Sequence, residues 1–444
     1  MTEQIAGHTV KHLHGPDEIS YAENELLVLC LVRDGLPWMR SFVEHYLSLG
    51  VKHIFFLDNG SIDGTVETLK KYDNVTVLRS TLPYQNPKGG LGGTEVLFKH
   101  YLIGRFGEKD RWVLCADIDE LFDYPYSDVV GLGSLLGYLN ANSYTAVAAQ
   151  MFDMFPKEPL SGRAGGPDEP LKERHRFYDV SNIWRRGIKH VEELPHFRNN
   201  TLESDEIEVF RGGIRRTLFG STTLLTKFPL VFLDGRVKPF DRSSHWVDNA
   251  TIADFTCVLF HYKFLDEYFH KQVARAVREG QYFNNSARYK KYLKVLDANP
   301  ALQLKRETAR ELKSVNDLLD DGFLVVSEEY MMLADYEEER KRDAGRHDAP
   351  GSRPGRPEDE AASLRRARAQ AEVHGLKTRR LERQLEDLQQ QNRRQVEKLS
   401  KALKRVRKKN RNLTHQLRSI EASRSWRLLN ELARLRARLG GSKR

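Results

Sequence analysis

Three carboxylates stand almost side by side in Ala116-Asp117-Ile118-Asp119-Glu120, directly after the apolar run of residues 112–115. Two carboxylates at i and i+2 on an extended strand point to opposite faces. A strand that breaks into a turn at this point can instead bring both toward one divalent cation. Their hard oxygens suit Mg2+ or Mn2+, and either ion can bridge a diphosphate. A solvated acidic turn is the plainer reading of so short a motif, and the apolar strand before it favours a site.

A second cluster runs from Asp58 to Thr65 (DNGSIDGT), after the apolar stretch KHIFFL. Asn-Gly makes a tight turn, and Asp63 can cap the helix that follows. That capped turn has no need of Asp58. At the carboxyl end of a strand, Asp58 can accept hydrogen bonds from a nucleobase or ribose. Other residues carry less on their own. His261, within FHYK, reads alone as a core histidine, and His245 as a substrate contact or a structural group. Arg215 and Arg216 read as phosphate contacts or a solvated pair. The glycine-rich stretch 88–93 lacks the Gly-Lys-Ser/Thr ending of a phosphate loop, so a lid or plain loop is expected.

The elements that must position these residues alternate. The continuous apolar run Leu26–Val32 suits a strand buried on both faces, and 52–57, Val75–Ser80 and 111–118 read as further strands. Between them, residues 37–49, 63–72 and 95–106 carry helical spacing. Strand alternating with helix predicts an α/β fold: an open, mostly parallel sheet flanked by helices. In such sheets ligands bind beyond the carboxyl ends of the strands, which is where both clusters fall. Further on, a helix over 133–139, a strand over 145–151 and helices over 266–279, 287–297 and 305–313 are expected. Cys30, Cys115 and Cys257 sit in apolar runs without CxxC spacing and read as buried reduced thiols.

These blocks, in this order, resemble the glycosyltransferase family 2 group with the GT-A fold, and more closely the family-2-like proteins related to family 92. The resemblance rests on LVRDGLPWMRSFVEHYLSLGVKHIFFLDNGSIDGT, DRWVLCADIDELF and LFHYKFLDEYFHKQVARAVREG, and spans roughly residues 25–280. It implies that Asp58 contacts the base of a nucleotide-sugar. Asp117 and Asp119 would form the metal and diphosphate motif, with His261 as a third metal ligand or diphosphate contact. Arg33 and Asp34 would lie near the nucleotide, but Gly35 stands where the family often has Glu. The implied cofactor is Mn2+ or Mg2+. The implied reaction moves a sugar to an acceptor hydroxyl with inversion, on a glycan or lipid-linked acceptor in surface polysaccharide or glycoconjugate synthesis. An inverting transfer needs a carboxylate to deprotonate the acceptor, and Asp153, then Glu120, are the candidates. Gly35 and the open choice of base also admit a second reading, a degenerate scaffold that works through its tail.

That tail is set apart by charge. Residues 340–444 hold 31 Lys and Arg against 12 Asp and Glu, a net of +19, leaving 40 against 50, a net of −10, for residues 1–339. The expected organisation is a flexible tail over 1–24, a GT-A domain over 25–335 and a linker over 340–360. A coiled coil over 361–422 and a basic amphipathic helix over 423–444 follow. Leu381, Leu385, Leu388, Asn392 and Gln395 step by four and three, and Val406, Asn410, Leu413, Leu417 and Ile420 resume the pattern after a skip. This predicts a two-stranded coil and a homodimer, with a single solvated helix as the alternative. The last segment suits an anionic membrane surface or an extension of the coil. Nucleic acid is a poor fit, because Trp426 is the one aromatic after the linker. No run approaches a membrane span of about 18–20 apolar residues. The opening residues lack a secretory layout. A cytoplasmic protein, peripheral at the inner face of the membrane, is expected.

Overall fold

The computed structural model describes residues 3–85, 93–161, 170–188, 199–240 and 245–347, and in the tail scattered positions from 393 onward and the stretch 422–440. The chain divides into two units, Met1–Ser352 and Arg353–Arg444.

The first unit is built on an 11-stranded sheet. Its strands in chain order are Gln4–Ile5 (β1), His8–His14 (β2), Leu26–Val32 (β3), His53–Asp58 (β4), Val75–Ser80 (β5) and Trp112–Asp117 (β6). Glu120–Asp123 (β7), Ala146–Asp153 (β8), Thr201–Leu202 (β9), Thr226–Phe232 (β10) and Thr251–His261 (β11) complete it. The order is β1-β2-β5-β4-β3-β6-β10-β8-β11-β9, with β7 paired to β11. β2, β7 and β10 run against the other strands, which share one direction. The sheet is therefore mostly parallel, as the alternation of strands and helices predicts.

Strand β3 is apolar at every position because both faces of the sheet are covered. Along β3, Leu26, Val28, Cys30 and Val32 join one core, and Leu27 and Leu29 join the other. Helix α1 (Leu36–Ser48) covers the first face with Trp38, Met39, Phe42, Val43 and Tyr46. Helix α3 (Gly93–Phe106) covers the second with Phe98, Leu102 and Phe106, while α2 (Thr65–Leu69) links β4 to β5. Further helices are α4 (Leu132–Ala141), α5 (Ile214–Phe219), α6 (Asp266–Glu279), α7 (Phe283–Ala298) and α8 (Glu328–His347). Gly280 ends α6 at φ +62, a left-handed cap that glycine adopts without a Cβ penalty. Cys30, Cys115 and Cys257 are all buried.

Three expectations differ from the structure. Residues 1–24 are not a loose tail throughout: β2 pairs antiparallel with β5 and extends the sheet at its edge. Backbone pairing there outweighs a polar sequence. Residues 305–313 hold the short strand Ala309–Glu311, paired with Phe177–Asp179, in place of a helix. Distant pairing overrides local spacing at this point. The linker does not begin at 340, because α8 continues to His347. Glu337–Arg340 and Glu338–Arg342 pairs, one turn apart, support that last stretch.

The second unit contains the helix Arg424–Gly440 (α9). Trp426, Leu428, Leu429, Leu432 and Leu435 on it are exposed. Most of the expected coiled coil over 361–422 lies outside the described residues, as does nearly all of the glycine-rich stretch 88–93. Among the described residues, no helix is long and apolar enough to cross a membrane.

Candidate active site

Three neighbouring strands place three chemical groups in register. β11 lies between β7 and β8, with His261 opposite Glu120 on one side and opposite Asp153 on the other. Residues directly opposite on adjacent strands project to the same face. A short turn at Ile118 and Asp119 separates β6 from β7, and Tyr262 N–H donates to the Asp119 carbonyl at 2.7 Å. That bond draws Asp119 against the end of β11. Asp119, Glu120 and His261 consequently offer ligand atoms that all lie within 4.8 Å of one another. Two carboxylates and an imidazole fit a divalent cation.

His261 is held from both ring nitrogens. Nε2 lies 3.1 Å from Asp119 Oδ2, and Nδ1 lies 2.5 Å from Asp153 Oδ1. Burial pushes the imidazole toward the neutral form, but the Asp119 and Asp153 carboxylates outweigh it and raise its pKa. Asp153 gives its other oxygen to Arg215 Nε at 2.6 Å, in an ion pair buried at both ends. Burial would raise the Asp153 carboxyl, yet Arg215 and His261 hold it well below the usual carboxylate range. Arg215 is thus neither solvated nor equivalent to its neighbour Arg216.

Asp117 takes a different path. Its carboxylate meets Lys99 Nζ at 3.0 Å and Lys227 Nζ at 2.7 Å. Lys227 also reaches Glu120 Oε1 at 2.6 Å, and Lys99 reaches Glu95 Oε1 at 2.9 Å. Burial disfavours both ammonium groups, but the carboxylates outweigh it and raise their pKa values. The Glu120 carboxyl is raised as well, because burial prevails there over the attraction of Lys227. The two aspartates of the motif thus diverge, one to a pair of lysines and the other to His261.

A cleft of about 600 Å³ opens over this cluster, lined among others by Arg33, Asn59, Tyr84, Lys227, His245 and Arg275. His245 Nδ1 contacts the Thr226 carbonyl at 2.9 Å. Asp58 is fully buried. Its carboxylate accepts Gly60 N–H at 3.1 Å, Ser61 N–H at 3.1 Å and Arg79 Nε–H at 2.6 Å. Its neighbour Asn59 lines the cleft. Asp34 is also engaged, accepting Ile62 N–H at 2.8 Å and Arg275 Nη1–H at 2.5 Å. Arg33 lines the cleft and pairs with Glu279 at 3.3 Å. A Cβ on Gly35 would lie 2.5 Å from Val32 Cγ2 and 3.0 Å from Ile118 Cγ1, so a Glu there would require those side chains to shift.

Lys99, Lys227 and Arg275 did not stand out from the sequence. Lys227 did leave a signal, as a lone lysine inside the apolar strand TKFPLVF, since an unpaired ammonium is rarely buried. Lys99 and Arg275 sit on amphipathic helices, where a charged residue passes for a solvated one.

Fold and site together define an α/β chain with a candidate cation centre at the strand ends. No family model matches the chain. A glycosyltransferase family 92 protein of Arabidopsis thaliana is 28% identical over 134 residues, covering 28% of this chain and 22% of the relative. The match therefore spans about a fifth of that relative's length. Among solved structures, a nucleotidyl transferase from Methanothermobacter thermautotroptrophicus is 15% identical at a TM-score of 0.17, covering 32% of this chain and 65% of its own. A Bacillus anthracis structure described as a glucose-1-phosphate thymidylyltransferase is 10% identical at a TM-score of 0.20, covering 32% and 58%. At those scores neither structure carries an argument about the site.

Proposed function

We propose that residues 25–335 form a metal-dependent glycosyltransferase of GT-A type. It would move a sugar from a nucleotide-sugar donor to a hydroxyl of a glycan or lipid-linked acceptor, with inversion. The observation that carries this reading is the convergence of Asp119, Glu120 and His261 at the strand ends, beneath a polar cleft. The distant sequence likeness to a family 92 glycosyltransferase supports it.

In this reading Asp119, Glu120 and His261 hold Mn2+ or Mg2+. When bound, that ion neutralises charge on the leaving diphosphate, the main electrostatic need of the step. Asp153 keeps the His261 ring oriented, with Nε2 toward the ion, and Arg215 keeps Asp153 ionised. With both oxygens engaged, Asp153 serves as a positioning residue in preference to a base. Asp58 and Asp34 shape the turn beside the donor, leaving Arg33 and Asn59 to face it. Residues 361–422 would pair two copies as a coiled coil, and α9 would rest on an anionic membrane at the inner face.

The test is nucleotide release from UDP-, GDP- and dTDP-sugars with Mn2+. One donor is expected to be turned over, and Asp119→Ala to abolish it. No binding or hydrolysis of any donor, or full activity in Asp119→Ala, would overturn the reading.

A further inference from the structure

Lys227 is a cation fixed inside a site that is itself read as holding a cation. Its ammonium lies 2.6 Å from Glu120 and 2.7 Å from Asp117, and Glu120 is one of the three converging ligand residues. A divalent ion taking the Glu120 carboxylate competes directly with Lys227 for it. Lys227 cannot retreat to water, because its side chain is 7% exposed and it is anchored on β10 between β6 and β8. It can lean toward the cleft that it lines. There the anion that accompanies a metal in this chemistry is a diphosphate. Asp117 does not lose its counter-charge when Lys227 leaves, since Lys99 remains 3.0 Å away.

We propose that Lys227 is an exchangeable counter-ion: it neutralises Glu120 and Asp117 in the free protein, then passes to the diphosphate of the donor when metal takes Glu120. This rests on the metal-site reading above. The exchange makes a statement of opposite signs. Lys227 opposes metal in the free protein and favours nucleoside diphosphate in the loaded one. A merely structural lysine would move both affinities the same way, and a cation that stays on Glu120 and Asp117 would oppose metal without contributing to diphosphate binding.

The experiment is calorimetric titration of the full chain, wild type and Lys227→Met, with Mn2+ alone and then with UDP, GDP and dTDP at saturating Mn2+. Thermal melts confirm folding, and Lys227→Arg, which keeps the charge, serves as the second variant. The expected result is Mn2+ binding about tenfold tighter in Lys227→Met, and binding of the preferred diphosphate about tenfold weaker, in the range usual for coupled sites. Lys227→Arg should stay near wild type in the second measurement. Loss of both affinities in Lys227→Met, or unchanged diphosphate binding, would overturn the exchange while leaving the metal-site reading intact. Wild-type protein that binds neither Mn2+ nor any of the three diphosphates would overturn that reading and the exchange with it.

Discussion

His261 Nδ1 lies 2.5 Å from Asp153 Oδ1, on strands whose register places the two residues directly opposite each other. The bond fixes which ring nitrogen is free to meet Asp119 and a cation. Carboxylate partners of metal-ligating histidines typically matter by 10–100-fold in affinity. In Asp153→Asn, Mn2+ affinity should fall by about that factor, while turnover at saturating Mn2+ is reduced much less. Calorimetry with Mn2+ and a metal titration of activity check this. If Asp153 were the base, turnover would collapse at every metal concentration with metal affinity unchanged.

The Arg215–Asp153 pair is buried and bonded at 2.6 Å. Removing one partner of such a pair leaves an uncompensated charge, at about 3–5 kcal/mol. Arg215→Met should therefore lower unfolding free energy by about 3 kcal/mol or more, measured by urea denaturation. Arg216→Met, one position along, should change it by less than about 0.5 kcal/mol.

Asp58 is saturated by the turn that follows it and by Arg79. Asp58→Ala should cost about 2–4 kcal/mol of stability, because two backbone donors and a guanidinium lose their acceptor. Asn59→Ala, which removes an amide donor to the Leu82 carbonyl at 2.8 Å, should cost only about 1 kcal/mol and weaken nucleotide binding. Urea melts with nucleotide titrations separate the two.

Several buried histidines make the fold acid-sensitive. Burial lowers His53 from 6.5 to about 4, with His14 adding to it, and burial lowers His175 from 6.5 to about 3. The unfolded chain takes up protons once the pH falls below about 6.5, and the folded chain only below those lower values. Their stabilising contribution is complete above pH 6.5 and is lost as pH falls toward 4. Each histidine changes stability by about 1.4 kcal/mol per pH unit in that window. Melting temperatures between pH 7 and 4.5 should fall steadily, and His53→Gln, facing Thr76, should flatten the slope.

The exposed Leu428, Leu429, Leu432 and Leu435 of α9 share a helix with Arg424, Arg427, Arg434 and Arg436. The full chain should float with vesicles containing phosphatidylserine and not with neutral ones. Flotation should weaken with added salt, since each basic residue near such a surface contributes about 1 kcal/mol. Leu429→Glu with Leu432→Glu should abolish it. Flotation unaffected by the double change would remove α9 as the membrane contact.

Much of the framework is written in local pattern. β3 falls where its apolar run alone puts it, because a strand buried on both faces must be apolar throughout, and α6 falls where helical spacing does. The acidic motif after β6 marks the strand ends, since open sheets bind there. Sequence also separates the basic tail from the acidic body, because charge is a sum over residues and needs no fold. Tertiary structure alone decided where each carboxylate goes. Asp117 and Asp119 are two residues apart, yet one faces lysines from α3 and β10 and the other faces a histidine from β11. Arg215 and Arg216 are adjacent, and only one is buried against Asp153. These assignments depend on strand register and on which distant cation fills the same buried space, and electrostatics in a desolvated site is set by such neighbours, whatever their separation in the chain.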